Sequence, residues 1–284
     1  MYEIDIISPK TVGEALELKN ERGEVLHPIA GGTDVLVSVY NNRVDWGSRP
    51  SLLNLSRIEE LHFIRETSDS VEIGPLVTHR EIIENPVIAT HVPALSKAVS
   101  FIGSPQIRNQ GTIGGNIVNA SPAADSLPVL YARDAMIEVS TLDGKALLPI
   151  REFIKGPGLV DLDPAGIVTK IVVPRLSGYF GDYLSLRQRK AISINVVSLG
   201  AEMLVSNDGV IEDVRVAFGA VSPTVVRGVK TEQLLRNRKR SSELVIEAVD
   251  LVQSECVPID DIRSNKMYRG AMAGVLLQKF LQSI

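Results

Sequence analysis

From the amino terminus, apolar residues first recur at helical intervals. Thr11-Val12-Gly13-Glu14 has the form of a capping box, and Val12, Ala15 and Leu16 follow on one face, which predicts a helix after Thr11. Residues 25–29 form a short, mostly apolar run that reads as a strand. It breaks at Ala30-Gly31-Gly32, after which Thr33 or Asp34 caps a second helix through Val39. Strands are predicted over 51–55 and 70–73. A helix starts at Thr78-x-x-Glu81 and stops at Asn85-Pro86, and another runs over 93–101 with Ala94, Ala98 and Phe101 on one face.

Periodicity then disappears from Gly103 to Asp125, a stretch rich in Gly, Pro and Asn that is too long for an idle connection and reads as a functional loop. Alternation returns over 136–150 around the hairpin signal Asp143-Gly144, and a strand over 166–173 ends at Pro174. Long alternating segments at 183–189, 196–205 and 210–220, the last two joined by Asn207-Asp208-Gly209, predict an antiparallel meander. Helices over 242–254 and 264–281 close the chain, and the change of texture puts a domain boundary near residues 174–178.

Composition narrows the class. Hydrophobic residues make up 44% and charged residues 23% of 284 residues, which disfavours disordered, collagen-like and coiled-coil classes and suits two folded domains. Thirty basic residues against 34 acidic ones give a net charge of -4, so no global positive field recruits nucleic acid or an anionic membrane; any bound anion must be held locally. The one cysteine, Cys256, excludes a disulfide framework and a Cys-ligated zinc or iron–sulfur site carried by this chain alone. The first five residues hold two acids, Glu3 and Asp5, where a signal peptide is basic, and no apolar run is long enough to span a membrane, so a cytoplasmic chain without a membrane span is expected.

The candidate chemistry lies in two glycine stretches. Ala30-Gly31-Gly32-Thr33-Asp34 sits between a predicted strand and helix, where glycines let backbone N–H groups converge on a phosphate. Thr112-Ile113-Gly114-Gly115-Asn116 repeats the ingredients, with Asp125 downstream as a carboxylate suited to ribose hydroxyls. Neither has the G-x-G-x-x-G or G-x-x-x-x-G-K-S/T spacing, which removes the main support for a parallel-sheet dinucleotide fold and for a P-loop ATPase. One Gly-Gly turn alone serves any corner needing positive φ; two in one chain point to a diphosphate.

The run Ile29-Ala30-Gly31-Gly32-Thr33-Asp34-Val35-Leu36, the run from Ile102 through Arg108 to Ile117, and Ser121-Pro122-Ala123-Ala124-Asp125 together closely resemble the FAD-binding medium subunit of molybdenum hydroxylases. That family includes the flavin subunits of xanthine, carbon monoxide and nicotinate dehydrogenases. Residues 216–224 resemble the family's C-terminal domain. The resemblance implies an α+β fold: a two-subdomain FAD-binding domain of the PCMH, vanillyl-alcohol-oxidase-like kind over 1–176 (subdomains about 1–56 and 57–176), then a three-stranded antiparallel sheet with helices over 177–284.

It further implies that Ile29 to Leu36 wrap the FAD pyrophosphate with backbone amides, and that Thr112, Ile113, Gly114, Gly115 and Asn116 do so from the other side. Asp125 would hold ribose hydroxyls, Ile102 would pack near the flavin and Val168 would line the nucleotide. Arg187 falls where the family has Lys or an aromatic. The chain would be the FAD-carrying oxidoreductase subunit of a xanthine dehydrogenase-type complex. A large molybdopterin subunit and a small [2Fe-2S] subunit would be its partners in a dimer of heterotrimers, with NAD or another molecule as electron acceptor.

Elsewhere the residues read as ordinary. His27, His62, His79 and His91 lack metal-ligand spacing, no catalytic constellation can be assembled, and Cys256 has no base marked beside it. Residues 236–240 form a basic run expected to be a solvated loop, while Tyr40 and Trp46 suit either core or a partner surface. Two rivals stay open: a self-contained flavin oxidase or reductase of related fold, and a structural subunit without flavin.

Overall fold

The computed structural model describes residues 4–40, 51–189 and 193–283; Trp46 and the side chain of Tyr40 lie outside that description. The chain begins with β1 (Asp5–Ile7), α1 (Val12–Arg22), β2 (Leu26–Ile29), α2 (Val35–Tyr40) and β3 (Ser51–Asn54), whose strands form a parallel sheet in the order β1-β3-β2. Thr11 caps α1 by accepting from the Glu14 amide, but the Glu14 carboxylate reaches past the cap to the Lys10 amide, so the predicted box closes one residue early. Lys19 is buried at the end of α1. Its ammonium donates to the carbonyls of Gly23 and Leu26, tying helix to strand, and burial lowers its pKa.

The next unit is built from β4 (Ile64–Glu66), β5 (Ser70–Ile73), α3 (His79–Glu84), α4 (Pro86–His91), α5 (Pro93–Ser100), α6 (Pro105–Gln110), α7 (Ile113–Val118) and α8 (Ser126–Ala132). It continues with β6 (Met136–Thr141), β7 (Gly144–Pro149), α9 (Ile150–Phe153), β8 (Ile154–Gly156), β9 (Leu159–Val160) and β10 (Ile167–Pro174). Five of these strands pair antiparallel in the order β4-β5-β10-β6-β7. The predicted stop at Asn85-Pro86 is also a start: Asn85 accepts from the amides of Val87 and Ile88, and Pro86 fits a first-turn position that needs no donor. The stretch 103–125 is not a plain loop. It holds α6 and α7, each six residues long and capped by Ser104 and Thr112, too short for periodicity to register.

The last unit has the expected three long antiparallel strands, β11 (Phe180–Arg187), β12 (Asn195–Val205) and β13 (Val210–Gly219). To these the structure adds the two-residue strands β14 (Val226–Arg227) and β15 (Arg238–Lys239), and the helices α10 (Val229–Leu235), α11 (Ser242–Glu255) and α12 (Lys266–Gln282). Alternation along β12 suggests one wet face, yet its first nine residues are all buried. Val197, Leu199, Ala201 and Met203 join the apolar core shared with α11 and α12. The opposite face carries Gly200 and Glu202 and lies on α8, whose seven residues are also all buried.

A methyl group at Gly200 would lie 2.4 Å from the Pro128 carbonyl carbon and 2.5 Å from the Val129 nitrogen, contacts that backbone cannot yield. Gly200→Ala is therefore expected to destabilise the chain by about 1–3 kcal/mol, the usual cost of overpacking, read as a lower urea midpoint. An unchanged midpoint would show that α8 does not press on β12.

Candidate cofactor site

The first glycine loop leaves β2 and enters α2. Among the described residues no group accepts a hydrogen bond from the amides of Gly31, Gly32, Thr33 or Asp34, while Leu36 and Ser38 already donate back to Gly32 and Asp34 to start the helix. Gly32 holds φ at +72°, the left-handed region that side chains resist. Gly31 has a different reason to be glycine: a Cβ there would stand 1.7 Å from the Gln110 carbonyl oxygen, so the first loop rests directly on the backbone that leads into the second.

The second loop differs from the sequence expectation. The amide of Ile113 donates to Val77 O at 2.9 Å, that of Gly114 to Pro75 O at 2.9 Å, that of Asn116 to Thr112 O at 3.0 Å, and that of Gly115 to the Thr112 hydroxyl oxygen at 3.2 Å. These amides satisfy the start of α7 and its junction with the 74–78 turn, so they are not free to wrap a pyrophosphate. Gly114 is glycine because a Cβ would meet Pro75 O at 2.7 Å. What the loop can offer a ligand is side-chain chemistry: the Thr112 hydroxyl hydrogen and the Asn116 amide group.

An open cleft of about 440 Å³ runs beside the loops, lined by Ala30, Gly31 and Thr112 and, farther along, by Ser56, His62 and Arg80. From Asn116 the contacts continue: Ser126 donates to Asn116 Oδ1 at 2.5 Å, and Ser126 follows Asp125. Asp125 is buried, and its Oδ1 accepts from Tyr183 Oη, Arg187 Nη2 and Asn195 Nδ2. Burial lifts the carboxyl above its ordinary pKa against the pull of Arg187, Tyr183 and Asn195. Arg187 also donates to Ser185 Oγ and Ser193 O, and its guanidinium lies 4.9 Å from the centre of the Phe101 ring. The candidates Gly31, Thr112, Asn116, Asp125 and Arg187, scattered along the sequence, thus form one connected series.

Ile102 follows Phe101 and packs on the central apolar core, and its carbonyl accepts from Arg108 at 2.9 Å. Val168 faces that same core while its neighbour Ile167 joins the core of the first unit, as successive side chains of a strand point to opposite faces. The residues sequence reading missed are Phe101, Tyr183 and Asn195. Tyr183 reads as an ordinary strand residue and Asn195 falls just before the strand predicted over 196–205, and nothing in period-two alternation marks a buried polar end.

Remaining candidates resolve simply. No cluster of His, Cys, Asp and Glu among the described residues is placed to hold a metal, and no described helix is long and apolar enough to cross a membrane. Cys256 is buried, and burial pushes its thiol up to about 12, far from a reactive thiolate. In the basic run Arg236 pairs with Asp213, Arg238 with Glu247, and Arg240 donates to Leu281 O, so this segment is tied down rather than merely solvated.

Residues 2–176 match the family described as the FAD binding domain in molybdopterin dehydrogenase, and residues 183–284 match the CO dehydrogenase flavoprotein C-terminal domain. The chain belongs to this family of FAD-binding flavoprotein subunits of molybdopterin dehydrogenases, and is an oxidoreductase subunit. It is 31% identical over 283 residues to the glyceraldehyde dehydrogenase medium chain of Sulfolobus acidocaldarius, covering 99% of this chain and 98% of that one. It is 29% identical over 276 residues to the putative xanthine dehydrogenase FAD-binding subunit of Escherichia coli, covering 95% and 92%. The structure of carbon monoxide dehydrogenase from Hydrogenophaga pseudoflava superposes with a TM-score of 0.91 at 29% identity, covering 98% of this chain and 95% of that chain. The donor set suits FAD: four unengaged amides at a strand-to-helix turn, the first of them in a cleft shared with Thr112, are groups that hold a diphosphate.

His79 supports the second loop from below. It is 2% exposed, its amide donates to Gly111 O at 3.0 Å, its Nδ1 has no partner, and burial together with the Arg108 charge lowers its pKa to about 4. Unfolded, the ring titrates near 6.5, so between those values the unfolded chain binds the extra proton and stability falls as pH falls. Acidification from pH 7 to 5 is expected to cost about 2 kcal/mol through this group, and His79→Gln is expected to flatten the pH–stability curve by that amount. Parallel curves for the two proteins would remove His79 as the cause.

Proposed function

We propose that this chain is the electron-relay subunit of a molybdenum hydroxylase of the xanthine dehydrogenase type. In this reading substrate is hydroxylated at a molybdenum centre on a large partner, [2Fe-2S] clusters sit on a small partner, and the chain serves NAD or another acceptor within a dimer of heterotrimers. The observation that carries it is the set of unengaged amides at Gly31 to Asp34, whose Gly31 lines one cleft with Thr112, in a chain that matches flavoprotein medium chains almost end to end. When bound, FAD supplies the capacity to exchange electrons singly or in pairs.

The protein's own part is binding and exclusion. Residues Ile29 to Leu36 present the free amides to the pyrophosphate, and the Thr112 and Asn116 side chains hold it from the opposite side. Asp125 accepts from ribose hydroxyls through Oδ2, which none of its three protein donors uses. Ile102 and Val168 supply apolar contact, and Arg187 brings a cation fixed in place by its three acceptors. Residues 1–176 and 177–284 act as the two working units. In this reading substrate choice belongs to the large partner.

The complex isolated through a tag on this chain is expected to carry FAD, and its flavin absorbance is expected to bleach anaerobically with one of xanthine, nicotinate, carbon monoxide or glyceraldehyde. The chain separated from its partners and reloaded with FAD is expected to stay yellow with all four. Strong bleaching of the separated chain by any of them would replace the relay with a self-contained flavoenzyme.

A further inference from the structure

Helix α8 is bracketed by opposite charges, and both are spent on the C-terminal sheet. At its start Asp125 takes Tyr183, Arg187 and Asn195 from β11 and β12; at its end Arg133 donates through Nε to Glu202 Oε1 of β12 and through Nη1 to the carbonyls of His91 and Pro174. Both pairs are nearly closed to solvent, with side-chain exposures of 9% and 10% for Arg187 and Asp125 and 2% and 0% for Arg133 and Glu202. Only the first pair borders the cofactor loops, through Ser126 and Asn116.

We propose that Asp125 is a positioning residue that couples the seating of the C-terminal sheet to FAD affinity, its Oδ1 holding Tyr183, Arg187 and Asn195 in place while its other oxygen faces the ligand. This rests on the FAD-binding reading above and adds that groups with no access to the ligand set how tightly it is held. Tyr183 is the cleanest such group, since it is fully buried and reaches Asp125 by its hydroxyl alone. Loss of that donor lets the carboxylate shift and frees Arg187 from a fixed acceptor. The Arg133–Glu202 pair, at the far end of α8, secures the same two units without touching the loops.

The test uses the full chain in its complex, stripped of FAD and titrated with it while flavin fluorescence is followed, alongside thermal unfolding of the FAD-free form. Tyr183→Phe is expected to weaken FAD about tenfold, the size of a lost hydrogen bond to a charged group, and to add nothing further in an Asp125→Asn background. Glu202→Gln is expected to lower the unfolding temperature while leaving FAD affinity as it was. FAD affinity within about twofold of the parent in Tyr183→Phe, multiplying effects in the double variant, or an equal loss in Glu202→Gln would each overturn the coupling while leaving FAD binding itself intact. A parent complex that takes up no FAD would instead overturn the functional reading, and the coupling with it.

Discussion

Gly200 has no side chain because the backbone of α8 occupies that space, and most of the molecule's organisation follows from this contact. A helix of seven buried residues cannot present a wet face, so it must be covered on all sides: by the apolar core of the middle unit and by β12 and β13 of the last. Charges are therefore confined to its two flanks. Removing one member of a buried pair leaves the other uncompensated at a cost on the order of 3–5 kcal/mol, so Asp125 and Arg133 penalise any register of α8 on the sheet that parts them from their partners. The middle core is accordingly not private to one unit, since Tyr183, Ala217 and Val225 belong to it.

The cofactor loops hang from the same frame, and their glycines have unlike duties. Gly31 and Gly114 permit backbone to lie on backbone, at Gln110 and Pro75 respectively, while Gly32 permits a turn of positive φ. The two loops therefore meet a diphosphate asymmetrically, one with open amides and the other with side chains whose backbone is already committed. A net charge of -4 makes that local arrangement necessary, because no general positive field assists the anion.

Much of this was legible in the sequence, and the misses have physical causes. The Thr78 box formed as read, with Glu81 returning to the Thr78 amide, and the long strands and closing helices appeared where period and turn residues put them. The motifs located both loops. What they did not reveal is which donors would be consumed internally: the Gly114 amide is spoken for by Pro75, a residue far from the motif in sequence. Helices α6, α7 and α8 were invisible because six or seven residues hold too few turns for a period, and α8 in addition is apolar all round. Asn195 and Tyr183 carry no such mark because a polar residue at the end of an alternating strand declares a partner only once the fold brings Asp125 to it.

The asymmetry of the two loops is the most direct point of test. Amide hydrogen exchange, resolved by residue with and without FAD, compares groups that lack acceptors in the protein with groups that have them. The account predicts that FAD strongly slows exchange at Gly31, Gly32, Thr33 and Asp34 and leaves Ile113, Gly114 and Asn116 nearly as they were, since those are protected already. Protection appearing at 113–116 with none at 31–34 would contradict it.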